Sequence, residues 1–352
     1  MSHRCDEKSA QEECCMNEGG RDHAEHGDRI NPLVPCVVPQ LSVVSDSTTS
    51  SQTSVMSLNK KLYRIPPRRL AFCGGGVRCV AHVGVLKTLD SAGLLKCVKE
   101  VIGVSAGALF ALLYALDYSI QQIEELSLNF DFRVLGDINP EELFLFPMTF
   151  GLNSGDMLDK LIGSILFQKG FSKDITFAEL SKSCSISFRC YAAELQTSAV
   201  KEMCAKTTPS MMVRTAVRAS MSLPIMYSPV KDGDSLLVDG GLLHNMPMVF
   251  LTEEEIQETW GVLFVNRQSK IQAVESVINF FQYIYDGSVI MRNVPFIKKY
   301  KERLILVKSD GFDVFNYGES KKNKIEFIKR VEATTWKFLT AATRPTRRFS
   351  VS

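Results

Sequence analysis

Apolar residues are unevenly distributed along this 352-residue chain. Residues 1–64 are rich in Ser, Glu, Asp and His and show no sustained hydrophobic period. Such a segment cannot bury enough apolar surface to offset the entropy lost on ordering, so the pattern predicts a disordered polar tail. From Ile65 onward, strand-like and helix-like stretches alternate. This alternation predicts one folded domain over residues 65–345, followed by a short basic tail at 346–352.

Short apolar runs predict strands, and apolar residues spaced three or four apart predict helices. The predicted strands lie at residues 69–73, 98–104, 188–195, 199–205 and 261–267. The predicted helices lie at residues 80–93, 105–116, 155–168, 209–220 and 325–342. Ser154 is a plausible cap for the helix at 155–168. Strands that alternate with helices predict an α/β fold with a mostly parallel sheet, in which ligand sites lie at the carboxyl ends of strands.

The first motif with chemical meaning is Gly103-Val104-Ser105-Ala106-Gly107, which joins a predicted strand to a predicted helix. Glycines two residues on either side of Ser105 permit the tight turn of a nucleophile elbow, which exposes the hydroxyl. The helix that follows directs the positive end of its dipole towards developing negative charge. A cramped turn would also explain the glycines, but the strand–turn–helix context favours Ser105 as a nucleophile.

A second motif, Gly74-Gly75-Gly76-Val77-Arg78-Cys79, also follows a predicted strand and precedes a predicted helix. Its glycines allow backbone N–H groups to converge on an anion, either a phosphate or a tetrahedral oxyanion. A dinucleotide site would have a third glycine where Cys79 stands and an acidic residue at the end of the next strand. That strand ends at Val104 and carries Glu100 near its beginning, so the nucleotide interpretation fails. A glycine-rich turn without a ligand remains the alternative.

The third motif is Asp239-Gly240-Gly241, which follows the apolar run at residues 236–238. An ionised carboxylate at this position can act as general base for an exposed serine. Asp239 lies 134 residues after Ser105, so this role requires the fold to bring the two together. A β-turn without chemistry is the alternative interpretation.

Together the three motifs resemble the patatin-like phospholipase family. The similarity extends to the connecting segments and covers the chain from about Pro66 to Leu339. Its blocks lie at residues 70–117, 151–162, 176–180 and 216–248. The resemblance implies a three-layer α/β/α sandwich with a mostly parallel central sheet. It also implies hydrolysis of lipid acyl esters by a Ser–Asp dyad, without a metal or an organic cofactor.

The resemblance assigns a role to each motif. Ser105 matches the nucleophile and Asp239 the base, whereas the backbone amides of Gly75 and Gly76, with Arg78 alongside, match the oxyanion hole. The remaining motif positions are Gly74, Cys79, Gly103, Gly107, Gly240 and Gly241.

Cys79 departs from the family pattern, which usually has a glycine there. If this position needs a positive φ, a cysteine would be strained and the oxyanion amides would be misaimed. If it lies in the first turn of a helix, a small cysteine fits, and we favour this second interpretation.

We therefore expect a serine acyl hydrolase that cleaves fatty-acyl esters of phospholipids or lysophospholipids at a membrane surface. One alternative is an acyltransferase or neutral-lipid lipase that uses the same dyad. Another is a catalytically impaired lipid-binding protein, which the cysteine at position 79 would explain. Labelling of Ser105 by a fluorophosphonate probe would support an enzyme.

The five histidines offer little to a histidine-based mechanism. His3, His23 and His26 lie in the predicted tail. His82 falls within a predicted helix, where packing is its expected role. His244 follows Asp239 by five residues, so a triad is not excluded by chain order, but we favour a structural role.

The charge balance is nearly even, with 41 Lys and Arg against 39 Asp and Glu, which removes the electrostatic case for a nucleic-acid binder. The polar, acidic start lacks the apolar region of a secretory signal, and Ser2 replaces the glycine of a myristoylation site. No apolar run is long enough to span a bilayer. We therefore expect an intracellular, cytoplasmic protein with peripheral membrane contact, whose 10 cysteines stay reduced and which binds no nucleic acid.

Two apolar stretches bear on the substrate. Residues 143–150 lie in a predicted connector, and their side chains could line an acyl pocket, meet a bilayer or form buried core. Residues 277–291 have helical spacing and are followed by the basic run at 298–301. A helix of this kind can lie on an anionic membrane, although the pattern favours core packing with a solvated charge run.

Removal of residues 1–60 should leave thermal stability and cleavage of a soluble ester unchanged, because this segment has no hydrophobic pattern that could pack on the domain. The comparison is between the full chain and a chain that begins at Lys61, by thermal denaturation and ester turnover. A large loss of either property would contradict the boundary, whereas a loss of vesicle binding alone would identify a targeting segment.

Overall fold

The computed structural model describes residues 64–136, 140–265, 274, 277–309, 311–312, 314 and 316–341. Of the predicted tails at 1–64 and 346–352, residues 1–63 and all of 346–352 lie outside the described residues, as do the last two positions of the strand predicted at 261–267. Arg64 is the first described residue. Its guanidinium lies 3.9 Å from the centroid of the Phe338 ring and donates to the Phe338 carbonyl oxygen at 2.6 Å.

The described chain alternates between strands and helices. Its ten β-strands are β1 (Arg69–Phe72), β2 (Glu100–Val104), β3 (Gly151–Asn153), β4 (Ser187–Glu194), β5 (Ala199–Cys204), β6 (Ile225–Tyr227), β7 (Val230–Asp232), β8 (Ser235–Asp239), β9 (Thr259–Val265) and β10 (Leu304–Lys308). Its eleven α-helices are α1 (His82–Ser91), α2 (Ala106–Ala115), α3 (Ile120–Asn129), α4 (Arg133–Gly136), α5 (Pro140–Thr149), α6 (Asp156–Gln168), α7 (Phe177–Ser183), α8 (Val213–Ser220), α9 (Glu253–Gln257), α10 (Val277–Tyr300) and α11 (Lys321–Thr340). Short 3₁₀ helices occupy Gly76–Ala81, Leu95–Cys97, Gly240–Leu242, Pro247–Phe250 and Lys301–Arg303.

The main sheet has eight strands. Seven follow the order β10-β9-β1-β2-β4-β8-β7, and β5 pairs with β4. The five strands from β10 to β4 are parallel to one another. The strands β8 and β5 are antiparallel to β4, and β7 is antiparallel to β8. The strands β3 and β6 form a separate parallel pair. The prediction of a mostly parallel sheet is confirmed.

Helices and turns cover both faces of this sheet. Leu70 and Phe72 of β1 face a large core built with α1, α2, α3 and α11. Ala71 and Cys73, which alternate with them, face a second core built with the 246–256 segment and the end of α10. Because successive side chains of a strand point to opposite faces, one strand serves both cores. The fold is the three-layer α/β/α sandwich that the sequence predicted.

The structure corrects three local expectations. Residues 143–149 of the segment 143–150 are helical and form most of α5, and Phe144 and Met148 are 86% and 78% exposed, so the buried-core interpretation is wrong. The cap of α6 is Gly155 in the left-handed region, not Ser154. The helix predicted at 277–291 continues to Tyr300 as α10. None of the described helices combines the length and the apolar content that crossing a bilayer requires.

Candidate active site

Ser105 occupies the junction between β2 and α2 in a sparsely populated backbone conformation, with φ 55° and ψ −138°. A non-glycine residue adopts a positive φ at a cost, so surrounding contacts must hold it there. The Ser220 hydroxyl provides one such contact, since it accepts the Ser105 N–H at 3.0 Å. It also donates to the Tyr191 carbonyl oxygen at 2.6 Å, which fixes its own orientation.

The glycines of this motif permit the close approach of α2 to the sheet. A Cβ on Gly107 would lie 2.5 Å from the Cys73 carbonyl oxygen and would overlap that of Phe72. A Cβ on Gly103 would lie 2.5 Å from the Ala108 Cα. No side chain fits at either position, so the two glycines set the distance between helix and sheet.

The sheet register places Asp239 opposite Ser105. Val104 pairs with Tyr191 of β4, so Ser105 lies at the level of Ala192, and Ala192 pairs with Asp239. Because β5 pairs with Tyr191 and Ala192 along the other edge of β4, the strands β2 and β8 lie on the same edge and meet end to end. The strand β8 is antiparallel to β4, so Asp239 reaches this level from the opposite direction to Ser105. The Ser222 carbonyl oxygen accepts the Asp239 N–H at 2.8 Å and holds it there.

Burial dominates the electrostatics of Asp239, which is 1% exposed. Desolvation raises the pKa of its carboxyl from 3.8 to about 7, because the charged form loses hydration. A hydrogen bond with the Ser105 side chain and one from the Gly241 N–H, at 2.7 Å, lower the pKa only in part. A carboxylate with a pKa near 7 can exchange a proton with a neighbouring hydroxyl near neutral pH.

The glycine loop presents free backbone donors beside Ser105. The Gly74 N–H donates to the Asn245 carbonyl oxygen at 3.4 Å, and the Val77 N–H donates to that of Val314 at 3.2 Å. Between them, the N–H groups of Gly75 and Gly76 donate to no acceptor among the described residues. A Cβ on Gly75 would lie 2.7 Å from the Phe264 ring, and one on Gly76 would overlap the Val314 backbone. Both positions therefore require glycine.

Arg78 and Cys79 follow the glycines of the loop and have different roles from them. The Arg78 Nε donates to the Phe312 carbonyl oxygen at 2.8 Å, and Arg78 Nη2 lies 3.6 Å from Asp286 Oδ2 of α10. The guanidinium is thus partly occupied by its contacts with Phe312 and with Asp286 of α10. Cys79 is buried in the 3₁₀ helix Gly76–Ala81 and does not have a positive φ. A cysteine is unstrained there, which agrees with the favoured interpretation of this departure.

Gly240 and Gly241 complete the site behind Asp239. A Cβ on Gly240 would lie 2.5 Å from the Tyr191 carbonyl oxygen, and one on Gly241 would overlap Tyr285 Oη.

No group of three or more His, Cys, Asp or Glu side chains in the described ranges is arranged to hold a metal ion.

Neither described histidine is placed as a third member of the site. His82 is fully buried among Phe72, Phe110 and Phe264, and burial lowers its pKa to about 4. His244 Nδ1 accepts the Met246 N–H at 3.3 Å, and desolvation lowers the pKa of this histidine below 6.5. The expected packing role of His82 is confirmed, and the Nδ1 contact of His244 is structural.

A cavity of about 280 Å³ opens onto Ser105, Asp239 and the glycine loop. Most of its wall is apolar. One side is a single face of α10 with helical spacing, made of Val289, Ile290, Asn293, Val294 and Ile297. Side chains of α2, α4 and β6 and of the turn before β6 line much of the rest, among them Leu109, Phe110, Leu135, Leu223 and Tyr227. The arrangement suits an apolar ligand whose reactive group reaches Ser105.

Several residues of the site carry no recognisable signal in the sequence. Ser220 and Ser222 hold the backbones of Ser105 and Asp239, and Asn245 Nδ2 donates to the Gly74 carbonyl oxygen at 3.0 Å. The apolar spacing of α10 is visible in the sequence, but there it favours core packing as the interpretation rather than a cavity wall.

Comparisons with known proteins show which family and which fold this chain resembles. A family model described as patatin-like phospholipase matches residues 70–251. An uncharacterized protein of Acanthamoeba polyphaga mimivirus is 28% identical over 261 residues, which span 72% of this chain and 86% of that protein. The lysophospholipase NTE1 of Candida albicans is 30% identical over 179 residues, which span 51% of this chain and 12% of that protein. VipD from Legionella pneumophila has the same fold, with a TM-score of 0.54 and 15% identity over 79% of this chain and 67% of its own.

Ser220→Ala should slow the labelling of Ser105 by a fluorophosphonate roughly 10- to 100-fold, because the strained turn loses the acceptor that holds its N–H. The control is Ser127→Ala, which removes another buried hydroxyl that donates to a helix carbonyl, that of Ile123, at 2.6 Å. The labelling rate of the control should stay near that of the parent protein even if its melting temperature falls. Equal rates for both variants would show that Ser220 does not position Ser105.

Proposed function

The chain belongs to the patatin-like phospholipase family of lipid acyl hydrolases, and from this premise we propose that Ser105 and Asp239 form its catalytic dyad. The proposed reaction is hydrolysis of fatty-acyl esters of phospholipids or lysophospholipids. The observation that carries the proposal is the opposition of Ser105, in its strained turn, to a buried carboxyl whose pKa is raised to about 7. Both residues open onto the same apolar cavity.

In the proposed first step, Ser105 Oγ attacks the ester carbonyl carbon and Asp239 takes the hydroxyl proton. The ester bond then breaks, the alcohol leaves with the proton from Asp239, and the acyl group stays on Ser105. Water releases the fatty acid in a second step. A carboxylate needs no third residue to set a tautomer, so the dyad is sufficient.

The free N–H groups of Gly75 and Gly76 are the proposed oxyanion donors. They come from consecutive residues beside Ser105, and the tightly packed glycines leave them little freedom to reorient. Preorganised donors of this kind stabilise the tetrahedral intermediate, and loss of one typically costs about 3 kcal/mol. Arg78 would add positive charge near this loop, although its contact with Asp286 offsets part of that charge.

The apolar cavity supports an acyl chain as the bound group, and the similarity to a protein named a lysophospholipase supports the inclusion of monoacyl substrates. A catalytically impaired lipid-binding protein is less well supported, because Cys79 lies unstrained in a helix and leaves the glycine amides free. An acyltransferase would use the same dyad, so it differs only in what attacks the acyl-enzyme.

Peripheral contact with a bilayer is the second part of the proposal. On α5, the side chains of Leu143, Phe144 and Met148 are 55%, 86% and 78% exposed. None of the residues at 143–150 lines the cavity. Large exposed apolar patches mark interaction sites, and a bilayer is the partner that also contains the proposed substrate.

The apolar surface of α5 is linked to the cavity wall through the strands that follow it, and α10 carries an apolar residue that is both exposed and part of the cavity wall. The helix α5 leads into β3, which pairs with β6, and Leu223 and Tyr227 beside and within β6 line the cavity. On α10, Val294 lines the cavity and is also 44% exposed. These features support entry of a lipid acyl chain into the cavity from the bilayer.

Asp239→Asn should abolish turnover about as fully as Ser105→Ala, because the amide keeps the shape of the side chain but cannot accept the proton. His244→Ala should keep substantial activity. The double variant of Ser105 and Asp239 should be little worse than either single one, since members of one catalytic unit are not additive. The measurement is kcat on one soluble ester, with folding checked by circular dichroism. An inactive His244 variant beside an active Asp239 variant would replace the dyad with a histidine mechanism.

The pH profile should report the same base. Because Asp239 must be ionised to accept a proton, kcat/KM on a soluble ester should rise with pH, with a midpoint near 7, and level off above it. A histidine base at His244, whose pKa is lowered below 6.5, would place the midpoint lower. A midpoint below about 6 would contradict the assignment of Asp239.

Replacement of Phe144 and Met148 by Glu should weaken binding to phosphatidylcholine vesicles and leave turnover of a soluble ester unchanged. The matched control is Phe167→Glu on α6, since Phe167 is 75% exposed and lies outside α5. Vesicle co-sedimentation of the three proteins provides the comparison. Equal binding by the double variant and the control would contradict a specific role for α5.

A further inference from the structure

Asn245 holds a buried acceptor atom that has no donor among the described residues. Its side chain is 8% exposed, and its Nδ2 donates to the Gly74 carbonyl oxygen at 3.0 Å. This bond fixes the orientation of the amide, because the reverse orientation would place Oδ1 against another oxygen. The Oδ1 atom is buried and unpaired. Buried polar atoms are rarely left without a partner, so this one calls for an explanation.

The unpaired oxygen lies between the two members of the proposed dyad. A Cβ placed on Gly74 would be 2.5 Å from Asn245 Oδ1 and 2.7 Å from Ser105 Cβ. A Cβ placed on Gly241 would be 3.2 Å from Asn245 Oδ1 and 2.9 Å from Asp239 Oδ1. Side chains on these two glycines would collide with their neighbours, so glycine lets Asn245 Oδ1 lie close to both members of the dyad, and Asn245 lines the cavity.

The chemistry of the neighbours limits what can satisfy this atom. The Asp239 carboxylate is also an acceptor, and the Ser105 hydroxyl is engaged with it. Once Ser105 carries an acyl group, its hydroxyl proton is gone, and neither residue can donate to Asn245. The Tyr285 hydroxyl also lies beside Gly241 but makes no hydrogen bond with Asn245 Oδ1, so a small molecule that enters beside the acyl-enzyme can supply the missing donor.

We propose that Asn245 Oδ1 accepts a hydrogen bond from the water that hydrolyses the acyl-enzyme, which makes Asn245 a catalytic residue of the second step. This inference rests on the proposed function. The water would donate one hydrogen to Asp239 and the other to Asn245, so that a lone pair of its oxygen faces the acyl carbonyl carbon.

The step balances with these groups alone. The water oxygen forms a bond to the acyl carbon while Asp239 takes one proton, and the second proton stays bonded to the water oxygen. The tetrahedral intermediate then breaks the bond between the acyl carbon and Ser105 Oγ. Asp239 returns its proton to Ser105 Oγ, and the acyl group leaves as a fatty acid.

Two adjacent acceptors favour water over an alcohol as the attacking molecule. Water has two hydrogens and satisfies both Asp239 and Asn245. An alcohol has one hydrogen, which must go to Asp239, and Asn245 would stay unpaired during the attack. Sites built around a hydrogen bond disfavour molecules that cannot make it. The side chain thus favours hydrolysis over acyl transfer.

Partition of the acyl-enzyme between water and methanol tests this inference. Both products arise from one intermediate, so the ratio of methyl ester to fatty acid does not depend on how fast the acyl-enzyme forms. In Asn245→Ala, this ratio should rise about tenfold over the parent protein, the effect of one lost hydrogen bond. Asn245→Ser, a second variant that lacks the amide oxygen, should shift the ratio in the same direction if the alanine variant fails to fold.

The control is Asn153→Ala, which removes another buried amide, one that accepts the Gly155 N–H at 2.7 Å outside the cavity. Its product ratio should match that of the parent protein. A fall in turnover of the Asn245 variants with an unchanged ratio would overturn the inference, because Asn245 would then only support the glycine loop. Failure of the parent protein to form any acyl-enzyme on Ser105 would instead overturn the proposed function, and this inference with it.

Discussion

The close approach of α2 to strand β1 is the constraint on which the site depends. At Gly107 the helix lies so near the strand that a single methyl group would overlap the Phe72 carbonyl oxygen. A helix at this distance can follow β2 only through a sharp turn, and Ser105 takes the positive φ of that turn. Its side chain is thereby directed away from the packed interface and into the cavity. A larger residue at position 107 would move the whole helix, and Ser105 with it.

The other half of the site depends on β4, which pairs along one edge with both of the strands that carry Ser105 and Asp239. Its Ala192 is the common level at which the two residues face each other. Two serines at and just after the end of α8 also hold these residues in place, because Ser220 and Ser222 form hydrogen bonds with the backbones of Ser105 and Asp239, respectively. Residues far apart in the chain thus share one rigid support, as general-base chemistry between two side chains requires.

The sequence predicted the parts of this protein that depend on local rules. Glycines at strand ends indicated Ser105 and the glycine loop, and alternating periods indicated the layered fold. The direction of β8 could not be predicted, because it is set by pairing with a distant strand. Ser220 and Asn245 resemble ordinary polar residues until their partners are known. The exposure of α5 could not be predicted from its composition. Apolar side chains predict burial within the chain unless a surface outside the chain covers them.

The burial of Asp239 has a further consequence for the stability of the folded chain. In an unfolded chain this carboxyl would ionise near its ordinary pKa of 3.8, whereas in the fold it holds its proton until about pH 7. The folded state therefore binds more protons than the unfolded state in this window, and the free energy of unfolding falls as the pH rises through it. Above pH 7 the loss amounts to roughly 4 kcal/mol, a large share of the 5–15 kcal/mol that typically stabilises a domain. An amide in its place would relieve that penalty, so selection for stability alone would remove the base, and only selection for activity can retain it.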